Sequence, residues 1–533
     1  MAERFTPSHR SSWGRCWLEG AGAAILLSPG LLWSELSRTH IDLYHRLLPL
    51  STVQRALAID LLVLSLAAMV ATRLLDRIAR PRDRFRGRRV VLLLWAGWFG
   101  LLAARAVAGA IVAQVLWWQQ ITTGRVFLLT VLGCGVVWLL PGGVWRQTVR
   151  AVRFGLLMLG FCIFWMIPVL VSASLAHQPW DQSSFRKPVE GREPGRIVWL
   201  LFDEMSYEQV FGQRFPGLEL PNLDRLRAES VTFSDVRPDG YFTEDVIPSL
   251  LLGEPIDQVR GTPSGWMTYQ SRQHGPWQRF DGSRTLFADA EREGWTTGAI
   301  GSYNPYCRIL KDQLDFCWMD LPPLPDHFSR DRSTVGNVVA PLAANWDKMA
   351  AGDARGETGA SSSLDSIPAV RAGDALIGDA QIELCFVHLP LPHPPGGYDR
   401  HTGTIGPGGS YIDNLALSDR ILGQMLADIA ASPAADRTTV ILSSDHSWRT
   451  FLWRHAFGWT REDEVASDHG KFEPRPMLMV RFPGERTAAE VSRPVPLLGM
   501  HDLIEQLMAG QIGNPQQLEG WAEEQRDPGA AAR

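Results

Sequence analysis

Residues 196–206 read RIVWLLFDEMS, an apolar and partly β-branched run that stops abruptly at an Asp-Glu pair. An unbroken run of this kind suits a strand buried on both faces, and acids at its carboxyl end stand where α/β sheets gather their ligands. Residues 438–448, TTVILSSDHSW, repeat the pattern and end on Asp445-His446, and residues 477–482 form a further short apolar run. Between them, residues 222–229 and 414–429 carry apolar side chains at helical spacing. Strands alternating with helices predict an α/β domain, a central mixed sheet flanked by helices.

If the two acid-tipped strands are neighbours, Asp203, Glu204, Asp445 and His446 converge on one point. Such a mixture of oxygen and nitrogen donors suits one divalent metal ion, zinc or manganese more than calcium or magnesium. Taken singly, each pair reads better as a helix N-cap.

Outward from the first strand, residues 177–195 are rich in Pro, Gly and charge with no apolar period, the pattern of a linker. The catalytic domain is expected over 196–513, interrupted by a Gly/Ser/Asp-rich surface loop at 351–375 and followed by a polar, frayed tail over 514–533. Residues 1–176 differ in kind. Apolar runs recur at 21–33, 56–70, 90–118, 126–140 and 154–175, near the roughly 20 residues that a bilayer-spanning helix needs, and predict an N-terminal transmembrane bundle of about five helices. The first run is broken by Glu19 and Pro29, and an interfacial helix is its alternative. Arginines 73, 77, 80, 82, 84, 86, 88 and 89 place one loop in the cytoplasm and Arg146, Arg150 and Arg153 mark another, so everything after the fifth run lies outside. Asp60 and Arg105 fall at similar depth within two runs and predict an ion pair. A net charge of -5 with no basic stripe argues against nucleic acid as a partner.

The cysteines divide in the same way. Cys134 and Cys162 lie in apolar runs and are expected to be inert packing residues. Cys307 and Cys317 lie close together in the exported half, where an oxidising compartment allows a disulfide.

The segments IVWLLFDEMS, PNLDRLRAESVTFSDV, TEDVIPSLLLG, HLPLPHPP and SSDHSW follow one another in the order found in the alkaline phosphatase and sulfatase superfamily. With the N-terminal runs, the chain most resembles lipoteichoic acid synthases and lipid A phosphoethanolamine transferases. Sulfatases carry their nucleophile two residues before a proline. With Pro248 as that proline the slot holds Val246, and the family's arginine slot holds Leu250. The transferases place a threonine five residues before it, which is Thr243. The resemblance implies that Thr243 is nucleophile and metal ligand, and that Asp203, Glu204, Asp445 and His446 bind the metal, with Asp203 ranked before Glu204. It also implies that His393 and His469 act on the substrate phosphate. His388 and Arg449 are candidate substrate contacts, with a loop cap and a surface ion pair as their respective alternatives.

The function implied is an enzyme of a bacterial inner membrane, its catalytic domain on the periplasmic or extracellular face. It would transfer a phosphoethanolamine- or phosphoglycerol-like group from a membrane lipid donor to an envelope glycan or lipid acceptor. A phosphodiesterase or sulfatase-type hydrolase with the same metal site is the alternative, and an inactive membrane sensor or scaffold is the reading from another class.

Overall fold

The computed structural model describes residues 13–27, 50–78, 142–175, 184–189, 195–262, 266–272, 275–320, 362–454 and 458–525. The chain divides into two compact units, Met1–Pro179 with Leu324–Gly356, and Trp180–Pro323 with Glu357–Arg533.

In the first unit the helix Trp13–Leu27 packs against two longer helices, Leu50–Ile78 and Gly142–Leu175. Small residues let them approach: a Cβ at Gly22 would run into the Leu156 carbonyl, and one at Gly160 into that of Leu18. Glu19, the charge that breaks the first apolar run, is buried and paired with Arg153 at 2.7 Å and Arg15 at 3.0 Å. Arg153 is thus a helix-packing residue rather than only a loop marker. Among the described residues no helix is long and apolar enough to cross a membrane, so the expected bundle of about five spans is not shown. The runs at 90–118 and 126–140, the arginines from 80 to 89, the Asp60–Arg105 pair and Cys134 lie outside the described residues or side chains. Cys162 is exposed rather than packed.

The second unit is built on one mixed sheet. Its strands in chain order are β1 (Phe185–Arg186), β2 (Arg196–Phe202), β3 (Val231–Phe233), β4 (Thr297–Ser302), β5 (Phe316–Asp320), β6 (Leu384–Leu389), β7 (Thr438–Ser443), β8 (Leu478–Arg481) and β9 (Ala489–Val491). Across the sheet they run β1-β5-β4-β6-β2-β7-β8-β3-β9. The five strands from β5 to β7 are parallel, and the edges beyond turn antiparallel at β1 and β8. The apolar run that opened the sequence is the central strand β2, buried at every residue.

Its two faces meet different partners, which is why it shows no alternation. Val198, Leu200 and Phe202 join Val387, Leu389, Leu415 and Leu422 in the main core beneath the helix Tyr411–Ala431. On the other face Trp199 packs on Phe386 at 4.6 Å, and Phe287, from the helix Leu286–Arg292, closes over Phe386.

Three expectations need correction. The linker is not bare: Phe185 and Arg186 form β1, paired with Cys317 and Phe316. The expected loop at 351–375 is helix from Ser362 through Gly378, where Ala369, Ala372 and Leu376 supply a buried face whose small residues hid its period. The tail does not fray at its start, because Asn514 caps a helix Pro515–Glu524 that buries Leu518 and Trp521. Residues 526–533 lie outside the described residues.

Candidate active site

Because β2 lies between β6 and β7, three strand ends open side by side, and Leu389 pairs with Phe202 while Ser443 pairs with Leu201. Asp203 and Glu204 leave β2, Asp445 and His446 leave β7, and His393 follows β6. Thr243 reaches the same point from outside the sheet, as the first residue of the ten-residue helix Thr243–Leu252.

Thr243 is buried, and its hydroxyl donates to Asp445 Oδ2 at 2.8 Å and lies 3.3 Å from His446 Nε2. His446 Nδ1 lies 3.1 Å from the Ser447 carbonyl, a bond in which the ring must donate, so Nε2 carries the lone pair. Asp203 Oδ1 stands 3.7 Å from that Nε2 and has no hydrogen-bond partner although it is buried. An orphaned buried carboxylate oxygen is costly unless something cationic meets it. Ligand atoms of Asp203, Asp445 and His446 lie within 4.8 Å of one another, and the Thr243 hydroxyl adjoins them. These donors fit one divalent cation. Burial and the neighbouring Asp445 and Glu204 push the Asp203 carboxyl well above the usual range, and burial with Arg449 nearby takes His446 down to about 3. Both shifts follow first from burial, and the Asp203 shift also from the neighbouring acids.

Glu204 belongs to a different arrangement. Its backbone is left-handed at φ 65, a conformation a non-glycine residue holds only when its surroundings over-determine it. Here they do: Tyr411 Oη donates to the Glu204 carbonyl at 2.7 Å, and Asp445 Oδ1 accepts from its N–H at 3.2 Å. The carboxylate thereby turns onto the guanidinium of Arg449 and the indole N–H of Trp453, the latter at 3.0 Å. Burial alone would raise the Glu204 carboxyl, but Arg449, His393 and His446 together take it below its ordinary value.

The structure therefore separates the two adjacent acids. Asp203 lies with Thr243, Asp445 and His446, whereas Glu204, expected as a ligand, lies with Asp203 and His393 in a second group whose ligand atoms are within 4.8 Å of one another, and its carboxylate is paired with Arg449. Arg449 itself is buried, and it also reaches the Tyr241 carbonyl at 3.3 Å and His393 Nε2 at 3.1 Å. It is neither a surface ion pair nor a free clamp for a headgroup.

The remaining histidines differ. His393 lies 3.9 Å from Glu204 and edge-on to Trp453, at the mouth of the site. His388 is buried within β6, its Nδ1 2.7 Å from the Tyr306 hydroxyl and its Nε2 without a partner. Burial lowers it to about 4, so it is a neutral interior residue and not a loop cap. His469 is not brought into the group: its side chain is 78% exposed and its ion-pair contact is Glu464. The segment holding it is tied down on the surface by Arg454 and Trp459, both bonded to the same Glu464.

Val246 and Leu250 face inward as packing residues, and Ser249 is bonded to the Asp245 carbonyl at 2.7 Å. Cys307 and Cys317 are joined, which ties the turn after β4 to β5.

Sequence reasoning passed over two residues here. Glu244 adjoins Thr243 within a quoted segment, and its carboxylate accepts from the Tyr303 hydroxyl at 2.9 Å. Tyr303 follows β4 in a left-handed conformation, φ 72. Nothing in the local sequence around it marks that role.

No family model and no curated protein matches the chain. Solved structures do. They include a sulfatase from Pseudoalteromonas sp., 12% identical over 60% of this chain and 68% of that one, TM-score 0.39. A phosphonate monoester hydrolase of Agrobacterium radiobacter is 15% identical over 63% and 78%, TM-score 0.36. A protein in the alkaline phosphatase superfamily from Vibrio parahaemolyticus is 17% identical over 61% and 69%, TM-score 0.34. At TM-scores under 0.5, the function has to be read from the site's own residues.

Proposed function

We propose that the chain is a metal-dependent phosphoester hydrolase that works through a covalent phospho-threonine at Thr243. The observation that carries this is the Thr243 hydroxyl held between Asp445 Oδ2 and His446 Nε2, beside the unpartnered Oδ1 of Asp203. Asp203, Asp445, His446 and Thr243 would hold the ion, zinc or manganese before calcium or magnesium given one imidazole nitrogen in the set. Bound there, a divalent cation supplies charge neutralisation and acidifies a coordinated hydroxyl.

The chain's own groups do the rest. Asp445, whose Oδ2 accepts from the Thr243 hydroxyl, is placed to take its proton as the threonine oxygen bonds to phosphorus and the bond to the departing alkoxide breaks. The helix that begins at Thr243 presents its positive end to the incoming anion. His393, held beside Glu204 by Arg449, is placed to contact the substrate phosphate, and water supplies the proton to the leaving oxygen. Water then releases the phosphoryl group from Thr243.

In the second reading an envelope glycan or lipid hydroxyl replaces water and the donor is a membrane phospholipid, with the enzyme in a bacterial inner membrane and its catalytic unit outside. One observation favours it: Phe154, Phe161, Phe164 and Trp165 on the helix Gly142–Leu175, and Leu62, Val63, Leu66 and Val70 on Leu50–Ile78, are exposed. Such apolar faces suit lipid contact.

Full-length enzyme incubated with headgroup-labelled phospholipid separates the two. Label appearing in solution supports hydrolysis, and label on an envelope acceptor supports transfer. Absence of any adduct on Thr243 in a trapped intermediate, read by mass spectrometry, overturns both.

A further inference from the structure

Among the described residues one group of metal-ligating side chains stands apart from the strand ends: Asp289, His501 and Glu505, whose ligand atoms lie within 4.8 Å of one another. Two helices supply it. Asp289 comes from Leu286–Arg292, and His501 and Glu505 are one turn apart on Met500–Met508, which sets them on the same face. His501 Nε2 stands 3.6 Å from the Glu505 carboxylate.

The imidazole is prepared from its other side. Its Nδ1 lies 3.0 Å from the Leu250 carbonyl, and a carbonyl only accepts, so this nitrogen carries a proton. A backbone carbonyl behind the ring fixes its orientation and makes the opposite nitrogen a better donor to a cation, the arrangement found behind metal-bound imidazoles. Packing holds the ring as well. Gly253 ends the helix Thr243–Leu252 in a left-handed turn, φ 64, and a Cβ there would stand 2.8 Å from the ring.

A neutral ring therefore turns a lone pair toward two carboxylates, three electron-rich groups that a divalent cation reconciles. Arg292 pairs with Asp289, but its side chain is 71% exposed and its charge is screened by solvent. A charged ring would need no ion, and zinc uptake tells the two states apart.

We propose that Asp289, His501 and Glu505 form a second metal site, for a zinc-like cation held by one nitrogen and two carboxylates. With three protein ligands, all half-buried, the site exchanges its ion and fills when zinc is added to protein that already carries an ion at the strand ends. Through His501 and the Leu250 carbonyl, the ion clips the helices Leu286–Arg292 and Met500–Met508 to the end of the helix that begins at Thr243. Its effect is on the stability of that packing. None of this depends on the Thr243 reading.

The test titrates zinc into the full-length protein by calorimetry and follows the denaturant midpoint in parallel. Wild type is expected to take up one further equivalent and to rise in midpoint as it does. Glu505→Gln and Asp289→Asn keep the shape and remove a ligand's charge. Each should weaken this uptake at least about tenfold, since loss of an outer-shell partner alone costs that much, and should abolish the rise in midpoint. His469→Gln is the control: His469 lies 3.5 Å from Glu464 on the surface, and its loss should leave both readouts unchanged. Asp445→Ala, which empties the strand ends, should keep the uptake.

No further equivalent in wild type overturns the site. So does uptake that Glu505→Gln and Asp289→Asn leave unchanged, which would mean that His501 is a charged partner of Glu505 and nothing more. Uptake lost in His469→Gln would mean binding at surface pairs, and overturns it too. Asp445→Ala keeps the two sites distinct: uptake that persists there, and disappears when Glu505→Gln is added, belongs to this site whatever becomes of the nucleophile assignment.

Discussion

At the scale of single residues, the site is decided by where two adjacent acids point. Thr243→Ala should abolish turnover yet leave bound metal near one equivalent by elemental analysis, because Asp203, Asp445 and His446 still offer their ligand atoms. Thr243→Ser should retain activity, since it keeps the attacking hydroxyl. Asp445→Ala should lose both metal and turnover. Loss of metal in Thr243→Ala to the extent seen in Asp445→Ala would mean that the threonine is structural. His388 gives a pH prediction. Its folded pKa is depressed to about 4 by burial, from an ordinary value of about 6.5. The unfolded chain therefore binds a proton more readily between those values. The stability that His388 contributes is fully present above about pH 6.5 and is lost as pH falls toward about 4. His388→Gln should flatten this part of the profile of denaturant midpoint against pH. An unaltered profile would mean that His388 is not a titrating interior group. The acids and His446 were legible in the sequence because each ends an apolar run. Glu204's withdrawal toward Arg449 was not, because it depends on a left-handed turn fixed by Tyr411, more than two hundred residues away.

At the scale of elements, the strands that read most plainly were those buried on both faces. β2 and β7 are unbroken apolar runs, and their ends set the site. Two helices were missed outright, Ser362–Gly378, taken for a loop, and Pro515–Glu524, taken for a tail because its polar face dominates the composition. Trp521 is buried in the latter, donates to Asp502 at 2.7 Å and packs edge-on against Phe233 of β3. Trp521→Ala should therefore cost about 3–5 kcal/mol, read from the denaturant midpoint, whereas a frayed tail would lose nothing. The disulfide was readable from the short spacing of Cys307 and Cys317 together with the expectation of an oxidising compartment. A loop that short predicts about 2.5 kcal/mol from restriction of the unfolded chain. Cys307→Ser with Cys317→Ser should lower the midpoint accordingly, and an equal midpoint with and without reductant in the wild type would count against it.

At the scale of the whole molecule, a reporter fused after Leu175 should be active only outside the cytoplasm, and full-length protein should float with membranes. Activity of a cytoplasmic reporter at that junction would reverse the proposed orientation. What the amino-acid sequence determined by itself was whatever depends on local pattern: a chain with an apolar first third, an α/β second part, acids at two strand ends and a threonine at the right spacing from Pro248. These follow from hydrophobic period and residue chemistry within a few neighbours. Only the tertiary structure decided that β2 lies between β6 and β7, that Asp203 stands beside Asp445 and His446 while Glu204 turns to Arg449, that His469 stays on the surface, and that Tyr303 reaches Glu244. Each of these is a choice between side-chain directions or strand neighbours far apart in the chain. Local sequence leaves such choices nearly equal in energy, and it is the burial of charge, with the requirement that every buried charge find a partner, that separates them.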